Sequence, residues 1–159
     1  MAANASLGNV ISHQPSGYVC PYCELLAGGG DQEGIVRRTA DATAFISRRW
    51  WPNNAGHVLV VPNEHHENLY DLPARYGHAV FDLVREIAVA IRDAYGCDGT
   101  STRQHNEPAG NQDVWHYHMH VFPRYVGDGL YGTRPNPDFL EPERRHHYAR
   151  LLRERLGRP

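Results

Sequence analysis

Three histidines alternate with large apolar residues in the segment HYHMHV, residues 116–121. Successive side chains of a β-strand point to opposite faces, so this period predicts a strand whose histidines lie about 6–7 Å apart on one face. We expect this strand to span 114–122 and to end at Pro123. A fold that contains it needs a sheet with one face packed by apolar residues and the other face lined by imidazoles.

The rest of the chain supplies partners for this strand. Runs of β-favouring residues predict four further strands, at 35–39, 43–47, 57–62 and 100–104. The first two are expected to form an antiparallel hairpin. Apolar residues at three- and four-residue steps between 80 and 94 predict a long helix that has Pro73 in its first turn and stops near Gly96. A second helix is expected over 143–156.

Length and composition bound the class of protein. The 159 residues, 41% hydrophobic and 21% charged, fit one globular domain, and no stretch approaches the roughly 20 apolar residues of a membrane helix. A formal charge of −2 gives no basic field that would attract nucleic acid. Residues 1–17 have no Lys or Arg ahead of an apolar core, so we expect no secretory signal, a cytoplasmic location and a flexible N-terminal arm.

The chain has 11 histidines, and the three that alternate suit two kinds of chemistry. A neutral imidazole has a free lone pair and a pKa close to neutrality, so it can act as a nucleophile or as an acid–base catalyst. Alternatively, a His-x-His pair and a third histidine can hold a catalytic zinc with an open position for water. The loop PAGNQD at 108–113 can present backbone N–H groups to a phosphate, which favours the first interpretation.

The three cysteines are too few for a disulfide framework, so reduced thiols or metal ligation are expected. Cys20 and Cys23 have C-x-x-C spacing, which is often only a turn with buried thiols. Cys97, near the end of the long helix, is interpreted as an ordinary small residue.

Together these motifs resemble the histidine triad family. Its hallmark, three histidines that alternate with hydrophobic residues, reads HYHMHVFPR at 116–124, and two further blocks, GHVLVVPNEH at 56–65 and NLYDL at 68–72, occur in the family's order. The resemblance implies an α+β fold with an antiparallel sheet of about five strands, one long helix and a C-terminal helix. It implies a family domain at 18–126, an extension with a helix at 127–159, and a homodimer.

The resemblance also implies an activity. The protein would be a nucleotidyl hydrolase or transferase that acts at the α-phosphate of a purine nucleotide conjugate, such as a nucleoside phosphoramidate or a dinucleoside polyphosphate. His118 would be the nucleophile and would carry the nucleotidyl group as a covalent phosphoramidate. His116 and His120 would flank it, with His120 bonded to phosphate oxygens, and His57 would support the triad from the neighbouring strand.

The resemblance assigns substrate contacts as well. Asn106, Gln112 and the backbone of 108–113 would bind the phosphate and steady the leaving group. A nucleobase would rest in an apolar slot near Phe45 and Ile46.

A subset of the family holds a structural zinc ion with a cysteine pair and two histidines. The matching residues here are Cys20, Cys23, His65 and His116. Thiolates with imidazoles favour tetrahedral zinc, and four protein ligands leave no open position, so the ion would tie the N-terminal turn to the sheet. His66 is a competing ligand that we interpret as a solvated surface residue.

The sequence departs from the family beside the expected site. Many members carry an acidic residue that binds ribose hydroxyls after the strand at 43–46, whereas this chain has SRRWW at 47–51 with about two extra residues. Asp113, an expected substrate-binding position, stands where a small hydroxyl residue is common. A carboxylate there repels a phosphate unless it turns away, pairs with Arg or bonds backbone N–H groups. Trp50 and Trp51 have two alternative roles, stacking on a base or packing at a subunit contact, and the second is the usual fate of aromatic residues on such a loop.

Two other classes of function stay open. One is a zinc hydrolase whose histidine triad itself binds the metal. The other is a nucleotide-binding or scaffolding protein without catalysis, which only the departures at Ser47 and Asp113 favour.

Overall fold

The computed structural model of the protein describes residues 11–157 and shows an α+β fold. Its strands are β1 (Ile35–Arg38), β2 (Ala42–Ile46), β3 (Val58–Pro62), β4 (Gly99–Gln104) and β5 (Met119–Arg124). Its helices are α1 (Pro21–Leu26), α2 (Ala74–Tyr95) and α3 (Pro142–Leu156). The strands form one antiparallel sheet in the order β1-β2-β3-β5-β4. The fold class expected from the sequence is confirmed.

The two faces of the sheet are packed differently. Val58 and Val60 of β3 join the main core with α2 and α3, whereas Leu59 and Val61 pack on the other face against α1. Leu59 is paired with His120 of β5, so this histidine lies on the α1 face. The candidate site is therefore built on one face of a sheet whose other face is covered by helices.

The turn before β3 depends on Gly56. This residue has a φ of +80°, and a Cβ here would lie 2.5 Å from the ring of Tyr148 and 2.7 Å from that of Tyr95. The hydroxyl of Tyr95 also donates to the Gly56 carbonyl at 3.0 Å. The positive φ and the lack of space for a Cβ both require glycine at this position, and the turn that it forms leads into β3 beside His57.

The strand that carries the histidines begins later than predicted. β5 starts at Met119 instead of 114, so His120 alone of the three lies in the strand. Neighbouring β3 ends at Pro62, which has no N–H to donate and whose carbonyl accepts the Nε2–H of His116 at 3.0 Å. Pro62 therefore has no N–H and no free C=O group to offer to a paired strand, so the pairing of β3 with β5 cannot continue to His116.

Pro123 lies inside β5, so the prediction that it ends the strand is wrong. Its carbonyl oxygen accepts a hydrogen bond from Nδ2 of Asn54 at 2.8 Å. The N–H and C=O groups of a strand residue point to the same side of the strand, which for Pro123 is the side toward β3. Because β3 begins only at Val58, opposite Val121, no strand residue lies opposite Pro123 on that side. The missing N–H therefore costs no ladder bond.

The long helix ends as predicted. Gly96 follows Tyr95 in the left-handed conformation, with a φ of 63°. Within residues 11–157, no helix is both long and apolar enough to cross a membrane.

The predicted N-terminal arm lies partly outside the described residues, which exclude 1–10. Its last part is bound to Glu67. The Ser12 hydroxyl donates to this carboxylate at 2.5 Å, the backbone N–H of His13 at 2.7 Å and Nε2 of Gln14 at 3.1 Å. Residues 12–14 are thus held against the segment that follows β3.

Residues 133–140, which we call the strap, run back along the loop between β2 and β3. Three hydrogen bonds join strap and loop, from Trp51 Nε1 to Thr133, from Asn136 to Trp50 and from Leu140 to Arg48. Trp50 is 2% exposed and packs edge-on against Tyr148 of α3. Neither alternative given for Trp50 applies, because its ring is buried in this chain's own core.

Candidate active site

A cleft of about 340 Å³ opens on the α1 face of the sheet, beside the loop at 48–51. Five predicted site residues line it: Phe45, His57, Asp113, His118 and His120. The structure thus brings two of the three alternating histidines together in one cavity, with the histidine expected to support them.

His118 is 2% exposed and lies at the base of the cleft. Its Nδ1–H donates to the carbonyl oxygen of His116 at 2.8 Å, which leaves the lone pair on Nε2. Nε2 lies 3.8 Å from a carboxylate oxygen of Asp113. Burial lowers the pKa of His118, although the hydrogen bond to His116 and the charge of Asp113 oppose the shift, so the ring is neutral at neutral pH.

His57 and His120 form a hydrogen-bonded pair beside His118. The Nδ1–H of His57 donates to the carbonyl oxygen of Arg49 at 3.3 Å, so Nε2 of His57 accepts from Nδ1–H of His120 at 2.9 Å. The lone pair of His120 is then on Nε2. Burial lowers the pKa of His57 to about 3 and holds the pKa of His120 well below its usual range, so both rings are neutral.

Aromatic rings orient these imidazoles. His57 stacks on Phe122 with centroids 4.1 Å apart, and Trp51 stands edge-on to His57 at 5.6 Å. Tyr22 of α1 stands edge-on to His118 at 5.4 Å. Sequence reasoning missed Tyr22, although its place between two predicted zinc ligands was a signal that it lies beside the histidines.

His116 points away from the cleft, toward α1. Its Nε2–H donates to Pro62, which leaves the Nδ1 lone pair 3.3 Å from Sγ of Cys20 and 3.6 Å from Sγ of Cys23. Nδ1 of His65 lies 3.3 Å from Sγ of Cys23. The predicted metal ligands are therefore clustered.

The donor atoms of this cluster fit a zinc ion. All four lie within 4.8 Å of one another. Tetrahedral zinc, with bonds of about 2.3 Å to sulfur and about 2.0–2.1 Å to nitrogen, holds sulfur and nitrogen ligands about 3.5 Å apart. The three sulfur–nitrogen distances above match this separation, and two thiols with two imidazoles form a complete set for zinc.

His66 is not part of the cluster. Its ring packs on Tyr76 with centroids 5.1 Å apart, and its Nε2 lies 3.6 Å from a carboxylate oxygen of Glu64. The side chain is only 14% exposed, so the interpretation of His66 as a solvated surface residue is wrong. It faces away from its neighbour, as expected, but into a protein contact.

The expected nucleobase residues border a second cavity, of about 280 Å³, that adjoins the first. Tyr22, Phe45 and Arg48 line both cavities, so the two form one continuous cleft. Ile46 borders only the second cavity, which has a mainly apolar lining that also includes Leu25.

Asn106 and Gln112 do not line the cleft. Oε1 of Gln112 accepts from the backbone N–H of Glu107 at 2.9 Å, and its Nε2 donates to backbone carbonyls of Glu67 and Val114. Asn106 accepts from the N–H of Leu69 and exchanges hydrogen bonds with Gln104. Their contact with phosphate stays a prediction; the bonds observed hold the loop at 105–114 in place.

Three backbone N–H groups of this loop, which was expected to bind phosphate, are used within the loop itself. The N–H groups of Gly110, Asn111 and Gln112 donate to carbonyl oxygens of Glu107 and Pro108 within a short 3₁₀ turn. Glu107 has a φ of 61° and a ψ of 166°, a conformation that strongly favours glycine, and Gln112 holds its N–H there. These three N–H groups are consumed by the turn, so they are not presented to a phosphate.

Comparison with known proteins gives consistent matches. The sequence profile of the HIT domain matches residues 33–127, more than half of the chain. The chain is 32% identical over 140 residues to the protein hit of Bacillus subtilis, over 87% of this chain and 94% of that protein. It is 27% identical over 114 residues to an adenylylsulfatase of Arabidopsis thaliana, over 72% of this chain and 56% of that protein. A Zn-bound histidine triad family protein from Mycobacterium smegmatis has a TM-score of 0.72 and 29% identity, over 86% of this chain and 92% of that one.

Proposed function

Because the chain belongs to the HIT domain family, we propose that it is a nucleotidyl hydrolase or transferase that acts at the α-phosphate of a nucleotide conjugate. The observation that carries this proposal is the hydrogen bond between Nδ1 of His118 and the carbonyl oxygen of His116, at 2.8 Å. This carbonyl takes the Nδ1–H of His118, so the free lone pair is on Nε2, the nitrogen beside Asp113. A buried, neutral and pre-oriented imidazole in a cleft is suited to nucleophilic attack.

The reaction proceeds in two displacements. Nε2 of His118 attacks the α-phosphorus, and the bond from phosphorus to the leaving group breaks with its electron pair on the leaving group. Water then attacks phosphorus and gives up a proton, the Nε2–P bond breaks with its electron pair on the imidazole, and nucleoside monophosphate is released. An amine leaving group takes up a proton in the first step.

His120 binds the phosphate, and His57 holds His120 in position. The negative phosphate favours protonation of Nε2 of His120, which then donates to a phosphate oxygen. His57 accepts Nδ1–H of His120 and is itself fixed by the carbonyl of Arg49, so both rings keep their orientation throughout.

We predict that His118→Ala loses at least about 10³-fold in kcat for a nucleoside phosphoramidate, because the covalent route is removed and only positioning remains. Turnover is read as release of nucleoside monophosphate, and circular dichroism checks the fold. Brief reaction of the wild-type protein with a radiolabelled nucleotide conjugate, followed by denaturation, should leave label on His118. Undiminished turnover by the alanine variant would refute the mechanism.

The cluster around His116 supports a structural zinc, held by Cys20, Cys23, His65 and His116. The ion would tie α1 to the segment after β3, with no open position for water. This arrangement disfavours the alternative of a triad-bound catalytic zinc, because His116 faces the cysteines. Within 11–157, no second group of three His, Cys, Asp or Glu residues has its ligand atoms as close together as those of this cluster. A chelator too weak to extract the structural ion should leave turnover intact.

Two further parts of the proposal rest on the family resemblance. The nucleobase, expected to be a purine, occupies the apolar cavity at Phe45 and Ile46. The protein is a homodimer, which β4 permits because it is the last strand of the sheet and pairs only with β5.

A further inference from the structure

Two arginines line the cleft that contains His118. Arg48 and Arg49 are both exposed, and the only close partner of either guanidinium among residues 11–157 is the ring of Phe139. The guanidinium carbon of Arg48 lies 4.0 Å from the centre of that ring, and that of Arg49 lies 4.9 Å from it. Two positive charges are therefore placed in the cleft, and within residues 11–157 neither forms a salt bridge with a carboxylate.

The backbone that carries these arginines is fixed from two sides. On one side, the strap holds the loop: the N–H of Leu140 donates to Arg48 at 2.9 Å. On the other, the carbonyl of Arg49 accepts Nδ1–H of His57, and the Ser47 hydroxyl donates to the same carbonyl. The arginines and the catalytic histidines thus share a rigid scaffold.

The position of each arginine along the cleft differs. Arg48 borders both cavities, at the junction between the apolar slot and the cavity of His118. Arg49 and Phe139 border only the cavity of His118, together with Pro135 of the strap. With the nucleobase in the apolar slot and the α-phosphorus at His118, Arg49 borders the part of the cleft that the nucleobase does not occupy, where a leaving group can sit.

We propose that Arg48 and Arg49, resting on Phe139, form a binding site for an anionic leaving group. The preferred substrates are then conjugates in which phosphate, polyphosphate or sulfate leaves, rather than conjugates of a neutral amine. This inference rests on the proposed function and names its substrate class.

The chemistry of the first displacement explains the preference. When the P–O bond breaks, its electron pair leaves with the departing phosphate or sulfate, whose charge becomes more negative. Guanidinium groups stabilise that developing charge through charge-assisted hydrogen bonds. A departing amine gains no negative charge once protonated, so the arginines offer it no comparable stabilisation.

Kinetics with two substrates test the proposal. We would compare kcat/KM for a dinucleoside triphosphate and for the phosphoramidate of the same nucleoside in the wild type, Arg48→Gln and Arg49→Gln. The ratio of the triphosphate value to the phosphoramidate value should fall about tenfold in each variant, the size expected for one charge-assisted hydrogen bond. An unchanged ratio overturns the proposal, even if both activities fall together.

Arg85→Gln is the matched control. Arg85 is exposed on α2, on the opposite face of the sheet from the cleft. The substitution Arg85→Gln removes the same charge from the protein, but the ratio of the two kcat/KM values should stay at the wild-type value. An equal fall in this control would attribute the effect to net charge and overturn the assignment to the cleft.

Phe139→Leu tests how the arginines are held. Leucine keeps an apolar side chain at this position but removes the ring on which both guanidinium groups rest. The same ratio should fall, by less than in the arginine variants, since the charges remain but are less ordered. A ratio that stays at the wild-type value would remove Phe139 from the site.

A binding measurement separates failure of this inference from failure of the proposed function. By calorimetry, the wild type should bind a nucleoside α,β-methylene diphosphate more tightly than the monophosphate, and Arg49→Gln should lose that gain. This readout needs no turnover, so it decides the inference even if the protein hydrolyses neither substrate. Equal affinity for both nucleotides in the wild type would overturn it.

Discussion

At the residue scale, Asp113 places a negative charge where the substrate phosphate must approach. Its oxygen lies 3.8 Å from Nε2 of His118, its side chain is 76% exposed, and it does not turn away from the cleft. Asp113→Asn should therefore raise kcat/KM by about fivefold, since unit charges about 4 Å apart interact by about 1 kcal/mol in water. The measurement is release of nucleoside monophosphate at low and high salt.

Salt and a control substitution identify the cause of that effect. Electrostatic repulsion is screened, so the gain should shrink as ionic strength rises. Asp82→Asn, an exposed carboxylate on α2, should give no gain at either salt concentration. A loss of activity in Asp113→Asn would mean that the carboxylate assists the reaction.

Residue identity at this site was readable from sequence because the motif is dense. The alternation at 116–121 drew attention to His118, and the family resemblance named the four ligands that the structure clusters. The engagement of Gln112 was not readable. The sequence does not reveal whether a glutamine side chain bonds a phosphate or backbone groups. Only the folded loop shows that Gln112 bonds three backbone groups.

At the scale of elements, α1 is six residues long and begins at the cysteines of the proposed zinc site. Cys20 caps the helix, accepting from the N–H of Cys23, and both thiols lie beside His116. Cys23→Ser should lose the metal and lower the midpoint of thermal unfolding by about 10 °C, since a chain of this size shifts by roughly 2–4 °C per kcal/mol. Elemental analysis of protein purified without a polyhistidine tag gives the zinc content.

Cys97→Ser is the control for this experiment. Cys97 is also buried, but its Sγ donates to the carbonyl of Gly99 and lies outside the cluster. This variant should keep the wild-type zinc content. Wild-type protein with only a trace of zinc, or a Cys23→Ser variant with full zinc, would contradict the structural metal site.

The bounds of β5 show which features of a strand an alternating sequence pattern can predict. Alternation reports which way side chains face, and Tyr117 and Val121 do face the main core. It does not report where backbone pairing stops, because that depends on Pro62 of a strand more than 50 residues away in sequence. Only residues 119–122 of the predicted strand 114–122 lie in β5, so the pattern gave the facing of these side chains but not the ends of the strand.

At the scale of the whole molecule, the strap was the part least visible in the sequence. Residues 133–140 have no hydrophobic period, and their partner, the loop at 48–51, is about 85 residues distant. Only the closed fold shows that Arg48 and Phe139 meet. The sequence predicted the imidazoles that would carry out the chemistry. It did not predict that Arg48, Arg49 and Phe139 meet in the cleft, where they would select the leaving group.

Burial of neutral imidazoles makes the stability of the whole fold depend on pH. The pKa of His57 is lowered to about 3, below the value of about 6.5 expected in the unfolded chain. Below pH 6.5 the unfolded chain binds a proton that the folded chain does not, so acid favours unfolding by about 1.4 kcal/mol per pH unit for this histidine. Between pH 6.5 and about 5, above the range in which most carboxylates titrate, the free energy of unfolding should fall steadily.

The substitution His57→Gln isolates this contribution, since glutamine preserves hydrogen-bonding capacity but does not titrate. Its free energy of unfolding, from urea titrations at several pH values, should fall less steeply than that of the wild type, by about 1.4 kcal/mol per pH unit. His78→Gln, an exposed position on α2, should follow the wild-type slope. Parallel curves for the wild type and His57→Gln would mean that His57 takes up its proton equally in the folded and unfolded chains, which its stacking on Phe122 and its bond to His120 oppose.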